Sequence, residues 1–309
     1  MSREMKSLRD ERGSAFVIVV AAMVALLGFV ALTVDVGMLF LNRERLNNAT
    51  DAAVLAGVQI LASDPAQTFE AEDIALDFAV YNGLDPGEVS VTVYSSEKRL
   101  RVTAERQVRF FFAPVLGLNS RQVSAHSEAQ VGGVEAVYGV VPIGVVDQTL
   151  TYGTLYTLKY GQGMADHGNF GALAVGENKG ASDYEESLGE GYHGWVRIGD
   201  TILTEPGNKA GPTRDGVADR ISGHESCTST NHEPDCPRLV TCPIYDYVGD
   251  NHGRCEVQVL GFAAFFLDGA TGDENNCTIT GYFIKKLTCQ DVQGISGADY
   301  GLQTAKIIE

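Results

Sequence analysis

The sequence predicts an α+β protein. A long N-terminal helix first spans a membrane and then lies on a small antiparallel sheet, and a β-rich, disulfide-containing domain follows. Three observations predict it. An apolar run fills residues 14–41, runs of alternating apolar and polar residues fill 89–129, and all six cysteines lie in the last third of the chain. The expected organisation is a cytoplasmic tail at 1–13, a transmembrane plus amphipathic helix at 14–62, an α+β unit at 63–134 and a β-rich extracytoplasmic domain at 135–309.

The helix comes first. From Ser14 to Leu41 the chain is apolar except for Ser14, Thr33 and Asp35. At 1.5 Å per residue, Ala15 to Val34 extends about 30 Å, the hydrocarbon thickness of a bilayer. A helix satisfies its own backbone there. The run is also longer than the ~7–15 apolar residues of a cleaved secretory signal. Arg3, Lys6, Arg9 and Arg12 precede it and only Arg43 and Arg45 follow closely, which orients the N-terminus to the cytoplasm and 42–309 outside the plasma (inner) membrane. Asp35 falls near the outer boundary. A carboxylate there either reaches headgroups or a partner, or pairs with a basic group of a neighbouring helix.

Past the membrane, Leu46, Ala49, Ala53, Gly57 and Ile60 recur at three- and four-residue spacing, an amphipathic stripe. Ala49, Ala53 and Gly57 form a row of small residues that, with Asp35, is the candidate surface for docking partner helices. Asp64-Pro65 ends the helix. Residues 70–82 form a second, short helix with Ile74, Phe78 and Tyr81 on one face and Gly83 as its C-cap.

Strands follow. Val89, Val91 and Val93 alternate, residues 95–98 turn, and Leu100, Val102 and Ala104 alternate again. Val108, Phe110 and Phe112 continue the pattern, Pro114 breaks it, and Val123, Ala125, Ser127 and Ala129 resume it. Beyond about Glu135 the chain grows rich in Gly, Asn and Asp, and strands are expected at 138–146, 154–160, 194–198, 239–244, 256–267 and 278–287. Glycine, at 35 of 309 residues, exceeds its usual ~7 % share and fits many turns.

The chain carries 23 basic and 40 acidic residues, a formal charge of −17, all of it beyond residue 62. Such a chain repels phosphate backbones, so nucleic acid is excluded as a partner. The six cysteines, Cys227, Cys236, Cys242, Cys255, Cys277 and Cys289, are an even number in an exported region and are disulfide candidates. Cys255 and Cys289 are equidistant from a turn near Gly272, and bridging that loop of roughly 35 residues would stabilise by about 3–4 kcal/mol. Cys227–Cys236 is a possible local bridge. Zinc is the competing reading, because His224 and Cys227, and again His252 and Cys255, stand in H-x₂-C spacing with Cys236 and Cys242 between them.

Catalytic signals are scarce. The sequence has no G-x-S-x-G elbow, phosphate loop or H-E-x-x-H helix. His167 and His193 could act with Asp166 or Glu190, but glycine-flanked histidines fit plain loops better. The run from Asp268 to Glu274 could hold calcium through oxygens or simply turn. No cofactor, resident metal or enzymatic activity is expected. The segment Thr204 to Thr213, TEPGNKAGPT, reads as a rigid loop.

The N-terminal fifty residues carry a family pattern. Glu11-Arg12-Gly13, the apolar run, Val34-Asp35-Val36-Gly37 and then Leu46-Asn47-Asn48-Ala49-Thr50-Asp51-Ala52-Ala53 resemble the N-terminal segment of TadE/TadG-like tight-adherence proteins. Phe111 to Val131 is similar to the hairpin that follows in that family, and Pro142–Val145, Gly168–Leu173 and Thr204–Thr213 resemble the periplasmic extension of one subgroup. The resemblance implies a pilin-like arrangement of helix on sheet, and a non-enzymatic membrane component or minor pilin of a bacterial Flp (Tad) pilus assembly system, with other pilus-assembly proteins as partners. A surface adhesin with an unidentified ligand is the alternative. Processed pseudopilins carry Glu five residues after the cleavage glycine. Here Ile18 stands five after Gly13, which favours a permanent anchor.

Overall fold

A computed structural model describes residues 11–159, 171–176, 180–205, 207, 209–249, 253–273 and 276–308. It is an α+β protein with a long apolar N-terminal helix and a β-rich C-terminal part. Helix α1 runs from Glu11 to Ser63 and stops before Asp64-Pro65. Helix α2 covers Thr68–Tyr81 and ends at Asn82, with Gly83 left-handed (φ 89°) and its N–H on the Val80 carbonyl. Pro86–Glu88 forms a 3₁₀ turn in a capping box with Asp85.

Strands β1 (Val89–Tyr94), β2 (Arg99–Arg109) and β3 (Ser120–Tyr138) follow. β1 and β2 pair antiparallel around a turn at Ser95–Glu97 with Lys98 left-handed. β2 pairs with β3 from Arg99↔Gln130 to Arg109↔Ser120. The paired strands take the register that sends Leu100, Val102, Ala104, Ala125 and Ala129 to one face. There α1 and α2 cover them with Leu46, Ala53, Val54, Val58, Ala71 and Ala75. Arg106 closes the edge, donating to both oxygens of Glu88 (2.8 and 2.6 Å) and to the Gly83 carbonyl (3.0 Å). Glu128, nearly buried, lies between Arg99 and Arg101. Burial raises its carboxyl, but the two guanidiniums outweigh that and hold it below the ordinary carboxylate range.

β3 continues unbroken through residues 134 and 135, where the texture of the sequence changes. β14 (Leu302–Ile307) pairs with it over Ala129–Gly133, and further along it pairs with β13 (Val292–Ser296) and β7 (Trp195–Arg197). The last strand thus returns to the first sheet. A second sheet is built on β10 (Glu256–Asp273), which pairs with β8 (Thr201–Thr204), β9 (Leu239–Tyr247) and β11 (Asn276–Ile284). Short strands β4 (Val145–Val146), β5 (Leu155–Lys159) and β6 (Leu173–Ala174) extend it. Only Val145–Val146 of the run expected at 138–146 forms a strand beyond Tyr138.

From Gly261 to Leu267 β10 is buried on both faces. Val257, Val259, Phe262 and Ala264 pack toward the far half of β3, and Ala263, Phe265 and Leu267 pack under helices α3 (Ala181–Glu190) and α4 (Ala210–Ile221). Gly281 stands beside Phe265, and a Cβ there would meet the Phe266 carbonyl at 2.1 Å. The layers are α1 and α2, first sheet, second sheet, then α3 and α4. TEPGNKAGPT is therefore not one loop: Ala210 to Thr213 open α4, with Pro212 in the first turn, where a missing N–H costs nothing.

The expected Cys255–Cys289 bridge is absent. Gly272 pairs with Cys277, so the turn lies further along than assumed, and β11 leaves the hairpin at Ile284. The chain then crosses to the first sheet as β12 (Lys286–Leu287), parallel to β14, with Leu287 against the α1 core. Cys289 ends exposed, far along this crossing, while Cys255 is buried at the start of β10. Among the described residues no two cysteine sulfurs lie at bonding distance, so the expected disulfides are not seen.

Candidate functional site: the membrane helix, its clasp and the cysteine loop

The two halves of α1 differ. From Phe16 to Val34 its side chains are exposed save Ala31, and no other described element covers them. From Leu46 onward one face is sealed. Ala49 and Ala53 are fully buried, and a Cβ on Gly57 would meet the Ala71 carbonyl at 2.6 Å, Ala75 Cβ at 2.8 Å and Leu100 Cδ1 at 2.8 Å. The small-residue row does admit a close neighbour, but that neighbour is the chain's own α2 and sheet. This corrects the expectation that Ala49, Ala53 and Gly57 dock a partner.

Asp35 marks the change. Its residue is 3 % exposed, although it lies on a helix that is otherwise bare just before it. Its Oδ1 accepts from the Phe111 N–H at 2.7 Å, its Oδ2 from Ala113 at 2.7 Å, and Phe112 N–H lies 3.1 Å from Oδ2. These three N–H groups begin the 3₁₀ turn Ala113–Leu116 at the tip of the β2–β3 hairpin. Pro114 fits the first turn, Gly117 (φ 83°) takes the left-handed position that ends it, and Leu118 N–H returns to the Ala113 carbonyl at 3.2 Å. The first donors of a helical turn have no internal acceptor. Asp35 supplies one from another element, 76 residues away in sequence. It is thus a clasp within the chain, which replaces the expected headgroup or partner-helix contact. Only an aromatic-Pro-Gly turn hinted at it, and nothing in the sequence paired that turn with Asp35.

The structure sorts the cysteine and histidine candidates. The ligand atoms of His224, Cys227 and Cys236 lie within 4.8 Å of one another. Arg238 fixes the loop that carries them, donating to the carbonyls of Cys227 (2.9 Å), His224 (3.3 Å), Leu267 (3.0 Å) and Asp268 (3.1 Å) while stacking 4.7 Å from the Phe266 ring. The Cys236 thiol beside it, and burial, push the Cys227 thiol up. The set can form a disulfide or offer a soft metal three ligands. Cys242 is not part of it. That residue is fully buried on β9 and its thiol is pushed up by burial, which makes it unreactive. His252 of the second H-x₂-C pattern lies outside the described residues, as do His167, Asp166, Gly168–Phe170 and Glu274. His193 Nε2 sits 3.3 Å from Glu190 Oε2, both well exposed, as expected of a loop pair. Asp268–Gly272 continues β10 and is not a separate calcium loop.

Sequence reasoning missed one polar centre. Glu205, buried after β8, takes Arg254 at 2.7 Å and Lys209 at 3.2 Å, and Lys209 also donates to the Gly180 carbonyl and lies over the Tyr184 ring. Glu205, Lys209 and Tyr184, with Asp183, Tyr192 and His193, line an open cleft of about 400 Å³ beside α3.

Comparison with known families places α1. A family model described as putative Flp pilus-assembly TadE/G-like matches residues 13–62, in agreement with the resemblance read from the sequence. The match spans the helix, both its bare half and the half that packs on the first sheet, and stops at its end. No curated protein and no solved structure matches the chain. One long apolar helix near the N-terminus, together with this match, fits a single-pass membrane protein related to Flp/Tad pilus systems, a family associated with pilus assembly rather than catalysis.

Proposed function

We propose that this protein is a membrane-anchored, non-enzymatic component of a Flp/Tad-type pilus assembly system. The observation that carries the reading is the coincidence of the family match with a helix whose first half is bare and whose second half is the spine of a folded domain. The N-terminal tail lies in the cytoplasm and the sheets lie beyond the inner membrane, a topology supported by the excess of basic residues before the run. The bare half of α1 meets lipid and the helices of other pilus-assembly proteins, and the outer domain meets their exported parts. The long helix laid on the β1–β2–β3 sheet is what we read as pilin-like. Ile18, in place of the glutamate of processed pseudopilins, supports a resident anchor over a subunit drawn into the fibre. Deleting the gene should abolish pili and restoring the full chain should return them. Normal pili on the deletion strain, with attachment lost, would replace this reading by the adhesin. The tyrosine-lined cleft beside α3 is the observation that favours that second reading.

A further inference from the structure

The tip of the β2–β3 hairpin carries five exposed apolar side chains within eight residues: Phe111, Phe112, Val115, Leu116 and Leu118. Val115 is 90 % and Leu116 81 % exposed. Charged residues are absent from the whole turn between Arg109 and Arg121. In water such a turn is costly, since each apolar side chain left in solvent forgoes the stabilisation that burial would give it.

Asp35 ties this turn to one level of α1, the outer end of the bare segment. Around that level α1 is itself apolar and exposed, with Leu32, Val34, Val36, Phe40 and Leu41 facing out. The turn and the helix therefore present one continuous apolar surface. Above it stand exposed basic residues from three elements: Arg43 and Arg45 on α1, Arg109 at the end of β2 and Arg121 at the start of β3. Arg43 and Arg45 lie about 12–15 Å beyond Asp35 along the helix. The arginines sit where anionic headgroups begin if Asp35 lies at the edge of the hydrocarbon. The rest of the outer region is strongly acidic, so this basic collar is local.

We propose that the 111–118 turn is a second membrane contact, a wedge that enters the outer leaflet of the bilayer spanned by α1. This rests on the membrane-anchored reading above and adds a partner to it: the lipid itself, engaged through a hairpin clasped to the helix by Asp35. The carboxylate is shielded because its three donors come with it, so an acid at the boundary is held by backbone N–H groups and not by water. Two points of attachment fix the tilt of the outer domain on the membrane, which a single helix would leave free to rotate.

The test uses the full chain in phosphatidylcholine–phosphatidylglycerol vesicles. The native tryptophan is removed by Trp195→Phe, and a single probe is placed by Leu116→Trp or, as a reference, Leu26→Trp. Position 116 is an exposed turn residue, so the probe does not disturb the core. Lipids brominated near the headgroup end of the acyl chain should quench the Leu116→Trp emission at least twofold, and lipids brominated deep in the chain should quench Leu26→Trp more strongly. Adding Asp35→Ala should cut the quenching at 116 by at least half. Quenching at 26 without quenching at 116 overturns the wedge and leaves the anchor standing. Blue-shifted emission at 116 without quenching overturns it in favour of a protein contact. Quenching at neither position overturns both.

Discussion

The two halves of α1 share composition and differ in company. Both are rich in Ala, Val and Leu, and both carry small residues at helical spacing. The outer half loses one face completely to α2 and the sheet, while the membrane half meets no other described element along Phe16–Val34 apart from the half-covered Ala31. A small-residue row thus measures how close a neighbour comes, and says nothing of whether the neighbour belongs to the same chain. The uniformly apolar half, which has no polar face to set against an apolar one, is the one left for lipid and partners.

The comparison breaks most visibly at Gly57. Gly57→Leu drives a side chain into a backbone carbonyl at 2.6 Å and should destabilise the outer domain by about 3 kcal/mol, read as a lower denaturant midpoint. Ala53→Leu should act the same way with a smaller loss. A variant that keeps its midpoint but loses co-purifying membrane proteins would return the row to an intermolecular role. Next in size is Glu128→Gln, which removes the charge between two guanidiniums in the first sheet and turns one of its two acceptor oxygens into a donor, and should cost about 2 kcal/mol.

The same pair sets a pH dependence. The folded Glu128 carboxyl is held low, so the stability it adds is complete above the unfolded value of ~4.3 and is lost as pH falls through the lower folded value. Glu88, lowered by the Arg106 hydrogen bond, acts in the same direction. The midpoint of the native chain should fall below about pH 4 more steeply than that of Glu128→Gln. Asp35→Ala leaves the fold standing but should speed amide exchange at Phe111, Phe112 and Ala113 by about tenfold, since three donors lose their acceptor. The smallest effect concerns thiols. Mild oxidation should join Cys227 to Cys236, alkylation of the reduced native chain should label exposed Cys289 first, and Cys242 should react only after unfolding; peptide mass mapping reads all three.

Periodicity made α1, α2 and the first three strands legible, because each puts apolar residues on one face of a regular element. It failed at α3 and α4. The α4 sequence AGPTRDGVADRI holds two glycines and a proline, and reads as a turn. It is helical because Gly216 lets α3 approach, with the Glu185 carbonyl and Leu188 Cβ each 3.1 Å from where a Cβ would stand. Packing overrides propensity there. The Cys255–Cys289 pairing failed for a different reason. Equal distance from a turn implies pairing only while both strands stay in one sheet, and β11 departs after Ile284. Asp35 was legible as an anomaly at a membrane boundary, but its donors are backbone groups, which leave no trace in residue identity.

Protease added to intact spheroplasts tests the central claim most directly. The account predicts that the outer domain is digested while the helix and its cytoplasmic tail remain in the membrane fraction, extractable only with detergent. An outer domain that survives until the cells are lysed, or a chain that washes off without detergent, would contradict it.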